Sequence, residues 1–418
     1  MLFFKSLSLS LLFLASRVLA DDNKCSGDKN VTAQSDLDNI SSCSKLDGSL
    51  YVNNLQNSGV TVLNIDGVKV ITGDVEVSHS QYLQTVNFQD LETVSGKFSI
   101  HDNTRLNSLP APKLTDVGSL DLMVLPALQH LQFNSGIKKA GDVQIVDTNL
   151  EDIQGIDVTS VKSFNINNNK YIESIDMPQL ETAQSINIAS NARKVDVNFS
   201  KLANVSGDTN FNGISNVFVG NLKSAKGSLG FTDTTLNNVS LPYLTSVSES
   251  LYFMDSQDLN SLSLPNLTTV GGSLTINNTD LAKISGFPKL NEVGGGLTML
   301  GNYSYVDLPK LTDVRGSLLL ESKSSNFTCP FSKSDGVIKG NDWTCKGEVS
   351  SMAKSSEVSA TATGSSDSSA SATSSSMSYS GSSDSHGKSA SSDSGASTVA
   401  FSAGIVGIVT LLGAALSL

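Results

Sequence analysis

The sequence predicts an all-β solenoid of the β-helix or leucine-rich-repeat-like kind, in which short coils of chain stack along one axis. Two observations carry that prediction. Gly-x-Leu-x-Ile, then polar Asn or Asp, then Leu-x-x-Ile/Val and often Pro-x-Leu-x-x-Val, returns about every 20–25 residues from Leu50 to Leu320. Within each copy the short segments alternate apolar and polar residues, as in Phe98-Ser99-Ile100 and Leu274-Thr275-Ile276. That is the period of a strand with one buried face.

At the N-terminus, Lys5 precedes a largely apolar run over residues 7–15 and then Val18-Leu19-Ala20. This order predicts a signal peptide over 1–20 and export of the chain. Export sets an oxidising compartment for the four cysteines, Cys25 and Cys43 just before the repeats and Cys329 and Cys345 just after them. Four cysteines allow three connectivities, and proximity favours Cys25–Cys43 and Cys329–Cys345, each pinning one end of the stack. Residues 21–47 are then an N-terminal cap, with a short helix over Gln34–Ile40 and Ser35 as its N-cap.

The first apolar residue of the leading strand falls at Leu50, Val75, Phe98, Leu120, Val143, Phe164, Ile186, Thr209, Leu229, Leu251, Leu274, Leu297 and Leu318, about 22 residues per coil. Thr209 breaks this apolar column, and residues 204–215 fit the pattern poorly. That predicts either a bulged coil or a seam between two solenoid halves, 48–205 and 206–346. A second strand recurs as Leu106-x-x-Leu109, Leu259-x-x-Leu262 and Leu281-x-x-Ile284. A third recurs as Leu114-x-x-Val117, Leu267-x-x-Val270 and Leu290-x-x-Val293, often after a proline such as Pro112, Pro265 or Pro288 that fixes the corner. Glycines such as Gly73, Gly96, Gly118 and Gly141 precede the leading strand, where a tight turn needs room. Asn103, Asn149, Asn168 and Asn278 follow it, and stacked side-chain amides there are expected to satisfy backbone groups of the turn. Residues 331–343 are expected to cover the C-terminal end.

Residues 347–398 are mostly Ser with Ala, Thr and Gly. Too little apolar surface is present there to offset chain entropy, so an extended, disordered stalk suited to O-linked sugars is expected. Residues 399–418 carry no charge, and no Lys or Arg follows them. Small residues over 387–392, a polar spacer and then this apolar run are the order of a signal for glycosylphosphatidylinositol (GPI) attachment, with Ser389 as the expected residue.

Nine Asn-x-Ser/Thr sequons occur, at Asn30, Asn39, Asn198, Asn204, Asn238, Asn266, Asn277, Asn302 and Asn326. On an exported chain these are N-glycosylation sites that face solvent. None lies within residues 51–193, so a docking partner is expected on that bare stretch. The net charge of −12 and the absence of a basic stripe argue against nucleic acid as a partner.

Catalytic signatures are sparse. His79, His101 and His130 fall in separate coils without metal-ligand spacing, and His386 lies in the Ser-rich stretch, so no metal or cofactor is expected. A β-helix enzyme acting on polysaccharide needs paired carboxylates on its outer face. Among the outward positions only Glu76 and Asp121 are acidic, and they stand two coils, roughly 10 Å, apart. Glycoside hydrolysis uses separations of about 5–9.5 Å. The outward column is otherwise rich in amides and hydroxyls (Ser99, Gln144, Asn165, Asn187, Asn210), and Tyr252 could stack on a sugar ring. A polysaccharide-binding module without turnover is therefore a second alternative.

Several strings are more specific than generic leucine repeats: Phe164-Asn165-Ile166-Asn167-Asn168-Asn169, Val270-Gly271-Gly272-Ser273-Leu274, Val314-Arg315-Gly316 and Ser325-Asn326-Phe327-Thr328-Cys329. With the signal, the cysteine pairs and the Ser-rich tail, the whole chain resembles the fungal cell-wall organisation family of GPI-anchored glycoproteins, which includes protoplast-secreted and sporulation-specific proteins. The resemblance implies a right-handed parallel β-helix head of the receptor L-domain type, with two such domains in tandem. It implies a noncatalytic protein of the plasma membrane outer leaflet and cell wall, with wall glucan or other wall proteins as partners, contributing to wall assembly and integrity. It implies no catalytic residues and no cofactor.

Overall fold

The computed structural model describes residues 24–55 and 59–347; the signal peptide, the Ser-rich stalk, Ser389 and the apolar tail lie outside the described residues. The described chain is a parallel β-solenoid whose main sheet has 23 strands. The inward residues of the leading strand stand in one register, Leu50 beside Val75, Val75 beside Phe98, and so on through Leu297 and Leu318. Lys29 extends the column at one end and Trp343 at the other.

One coil shows how the sequence makes the turn of chain. Leu274–Thr279 forms the first side, with Leu274 and Ile276 buried and Thr275 facing outward. The backbone then passes through Asn278 at φ 53. Lys283–Ile284 makes the second side, Pro288 turns the corner, and Glu292–Val293 makes the third. Gly294-Gly295-Gly296 returns the chain to Leu297 of the next coil. Left-handed residues recur in this way four positions past the first inward residue: Asn54, His79, Asp102, Val124, Asp147, Asn168, Ser190, Gly213, Asp233, Asp255 and Asn278. After glycine, Asn and Asp tolerate that conformation best, which accounts for the polar residue after the strand in the repeat.

This left-handed step moves the inward phase by one residue. Of the four asparagines expected to form the turn ladder, only Asn103 is buried in it. Its Oδ1 accepts from the Ser80 N–H at 3.0 Å, and its Nδ2 donates to the Val77 and His101 carbonyls, each at 2.8 Å. In the later coils the ladder uses Asn169 and Asn191, not Asn168, with Asn169 Oδ1 accepting from the Thr148 N–H at 3.0 Å and its own N–H donating to Asn191 Oδ1 at 3.1 Å. Asn149 and Asn278 sit at the surface, donating to the Pro126 carbonyl and to Asp255 Oδ1.

The glycines before the leading strand also act differently from expectation. Gly73, Gly96, Gly118 and Gly141 have ordinary φ values, but a Cβ at any of them would lie within 2.8 Å of a backbone oxygen of the coil before it. They make room for the neighbouring coil, and the N–H of Gly73 bonds the Gly48 carbonyl at 2.9 Å. The positive φ belongs instead to a glycine such as Gly67, at +77° with Ser41 O 1.9 Å from where a Cβ would be.

Thr209 itself pairs with Ile186 and Leu229 in the common register, but the coil carries one extra residue just before it: the three steps from Ala183 to Ile186 face four from Val205 to Thr209. A second shift falls between Val94 and Lys97. The Thr209 hydroxyl is buried without a hydrogen-bond partner. Around it the core is aromatic. Phe211, Phe231 and Phe253 stack at 5.3 Å between successive ring centroids, because parallel in-register strands bring identical residues side by side.

Both ends are closed. Cys25–Cys43 has a Cα separation of 5.6 Å and Cys329–Cys345 one of 5.9 Å. The helix Gln34–Ile40 buries Leu37 and Ile40, but Ser35 does not cap it. Ala33 is the N-cap residue, and the Asp36 carboxylate accepts from the Thr32 and Ala33 N–H groups at 2.8 and 3.0 Å. At the far end a single 3-10 turn, Lys333–Asp335, leads to a last strand, Trp343–Gly347, which continues the main sheet beside Leu318–Ser322.

Candidate functional site

The outer face of the first side runs along the main sheet, and its chemistry is set by which residues the period turns outward. Glu76, Ser99 and Asp121 are successive register partners there, followed by Gln144, Asn165, Asn187 and Asn210. The asparagines form an amide ladder. Asn165 Oδ1 accepts from Asn187 Nδ2 at 2.8 Å and from Asn167 Nδ2 at 2.9 Å. Such a face offers many donors and acceptors in rows about 4.8 Å apart.

Asp121 does not have the freedom of a catalytic carboxylate. It is 3% exposed, and its Oδ2 accepts from Lys97 Nζ at 2.6 Å and Ser99 Oγ at 3.2 Å, while Oδ1 is buried without a partner. Glu76 is bonded to Ser78 Oγ at 3.2 Å. Nothing pairs the two carboxylates across a cleft. A depression of about 240 Å³ beside Asp121 is lined by Lys97, Asp142, Gln144 and Ser163. Tyr252, the aromatic residue expected to stack on a sugar, lies down over Gly230 instead, so close that a Cβ there would be 2.0 Å from its ring. Burial and the nearby Asp208 carboxylate push its phenol above the ordinary range.

Ten consecutive coils, from Leu50–Asn53 to Leu251–Ser256, carry no sequon on this face. Asn30 bounds the run on the strand before it and Asn277 on the strand after it. Sequons Asn198 and Asn238 lie on the second side, in the walls of a depression of about 520 Å³ that also holds the exposed Phe218. A glycan on either asparagine would occupy that depression, which leaves the first side as the candidate surface.

The coil also brings together residues that look unrelated in sequence. His79 and His101 were expected to stand apart. Their ring centroids are 5.6 Å apart, and both face the carboxylate of Asp102. The signal was in the sequence: a separation of one coil length places two residues on neighbouring rungs.

A receptor L domain matches residues 42–135. The cell wall protein ecm33 of Schizosaccharomyces pombe is 55% identical over 84% of this chain and 84% of its own length. The chain belongs to the fungal ecm33/Pst1-like family of GPI-anchored cell-wall proteins. Another ecm33, from Aspergillus fumigatus, is 35% identical over 82% of this chain and 86% of its own. The cell surface GPI-anchored protein ECM33 of Candida albicans is 35% identical over 80% and 82%. No solved structure matches the chain. As an ecm33/Pst1-like protein it is a noncatalytic, membrane-anchored glycoprotein of the fungal cell surface, with a part in cell-wall organisation.

Proposed function

We propose that this ecm33/Pst1-like chain is held on the outer leaflet of the plasma membrane by a GPI anchor at Ser389, and meets wall glucan or neighbouring wall proteins with the outer face of its first side. The observation that carries the docking surface is the run of ten coils free of sequons on a face built of amides, hydroxyls and a buried carboxylate oxygen without a partner. Glycans at Asn198, Asn204, Asn238 and Asn266 would cover the other sides, and those at Asn30 and Asn277 would stand at the two ends of this run and leave the ten coils between them open. The same reading divides the solenoid into halves at 205/206. In support, the third side and the next first side run together as one strand in Thr93–His101, Asp116–Leu125, Ser160–Asn167 and Thr182–Ala189, and as separate strands from Asn204–Val205 and Thr209–Asn212 onward, as they also are in the first coils, Lys45–Leu46 with Leu50–Asn53 and Val70–Ile71 with Val75–Ser78.

A glycan wedge tests the docking face. Asn167→Thr creates a sequon at Asn165, and Lys223→Thr creates one at the exposed Asn221, away from the first side. In cells lacking the endogenous protein, the first variant should be displayed and fail to restore wall integrity, and the second should restore it. Equal rescue by both, with both sites shown to be glycosylated, would remove the first side from the mechanism. Removal of residues 399–418 should release the protein into the medium.

A further inference from the structure

We propose that His79, His101 and Asp102 form a binding site for a late first-row divalent cation, with Zn²⁺ as the probe, bridging two adjacent coils at the edge of the first side. The three offer one ligand atom each, and these atoms lie within 4.8 Å of one another. His101 Nδ1 is 2.8 Å from Asp102 Oδ2, and His79 Nε2 is 3.7 Å from the same oxygen. Ligand atoms of a tetrahedral ion with bonds of ~2.0–2.1 Å stand ~3.3 Å apart, and the two observed separations bracket that value. Small side-chain rotations are enough to close the site.

The backbone prepares this convergence. Ser78 and His101 are register partners, so the residues that follow them, His79 and Asp102, occupy the same turn position on neighbouring rungs. Both sit in the left-handed conformation, at φ 51 and 54. His101 also has an outer partner. Its Nε2 is 3.6 Å from Glu76 Oε1, and Glu76 is in turn bonded to Ser78 Oγ. A carboxylate behind a ligating imidazole fixes its orientation and raises its basicity. Two imidazoles and one carboxylate suit zinc and copper, whereas calcium takes six or more oxygens. Side-chain exposures of 59% for His79 and 18% for His101 leave an entry path and an open coordination position toward solvent.

Isothermal titration of the full glycosylated chain with Zn²⁺ alone is the test, with Ca²⁺ as the control. One Zn²⁺ per chain should bind saturably, and Ca²⁺ should not. His101→Ala, Asp102→Asn and the double variant His79→Ala/His101→Ala should abolish saturable binding, while Glu76→Gln weakens it roughly tenfold or more. His130→Ala/His386→Ala should leave it unchanged. Zn²⁺ should raise the Tm of the wild type and not of the double variant, whose metal-free Tm reports that it is folded. Absence of saturable Zn²⁺ binding, or wild-type affinity in the folded double variant, overturns the proposal.

Discussion

Asn169 shows how much one buried amide decides in this fold. It is fully buried, accepts from the Thr148 N–H and hydroxyl, and donates to the carbonyls of Ile145 and Asn167 at 2.9 and 2.8 Å. Asn169→Ala strands these groups away from water, so a loss of about 2–3 kcal/mol is expected, measurable by denaturant unfolding. Asn168→Ala, one residue earlier and exposed, should cost much less. Thr209 gives the opposite sign. Its hydroxyl is buried without a partner in a column otherwise filled by Leu, Ile, Val and Phe. Thr209→Val keeps the shape and removes the unpaired group, and should stabilise the chain by roughly 1 kcal/mol. A lower midpoint for that variant would mean that the hydroxyl is bonded after all.

Between neighbouring coils the unit of stability is the rung. Phe231 is fully buried between Phe211 and Phe253 and nearly parallel to the latter, at 4° between ring planes. Phe231→Ala opens a gap that two rings border, and a loss of ~3–5 kcal/mol is expected. The N-terminal helix depends on a charge. Hydrogen bonds from Thr32 and Ala33 hold the Asp36 carboxyl below its ordinary value of 3.8. A lowered folded-state value contributes stability that is whole above 3.8 and is lost as the pH falls through the lowered value. The Tm difference between wild type and Asp36→Ala should therefore be constant near neutrality and shrink on acidification below that point. A difference that does not change with pH would show that the capping bonds do not need the charge.

For the molecule as a whole, the ends are the weak places, because a terminal coil has a neighbour on one side only. The Cys25–Cys43 bridge closes a loop of 18 residues over the first rung. Replacing both cysteines by serine should cost about 3 kcal/mol on the loop-entropy account. That loss should be local. Hydrogen exchange should speed up across Lys29–Val31 and Gln34–Ile40 and stay slow in Phe98 and Leu120, several coils away. Uniform acceleration would make the solenoid one cooperative unit, not a chain of coupled rungs.

The coil length, the inward column from Leu50 to Leu318 and the position of both cysteine pairs were legible in the residues. A repeat near 22 residues with alternating apolar positions has few ways to bury its greasy side, and each copy reports the same solution. The capping carboxylate of Asp36 was missed because Ser35 is the commoner capping type and sits one residue away. The phase of the turn ladder was missed because one left-handed residue per coil moves every later side chain by one position, which sends Asn168 outward and Asn169 inward. Which side chains turn toward one another across coils was a matter for the tertiary structure: Tyr252 lying over Gly230, Asp121 held by Lys97, and the rings of His79 and His101 meeting at Asp102, where coil length alone had put them only on neighbouring rungs. Those neighbours are more than 20 residues apart in the chain, and only the lateral register of the stacked strands makes them adjacent.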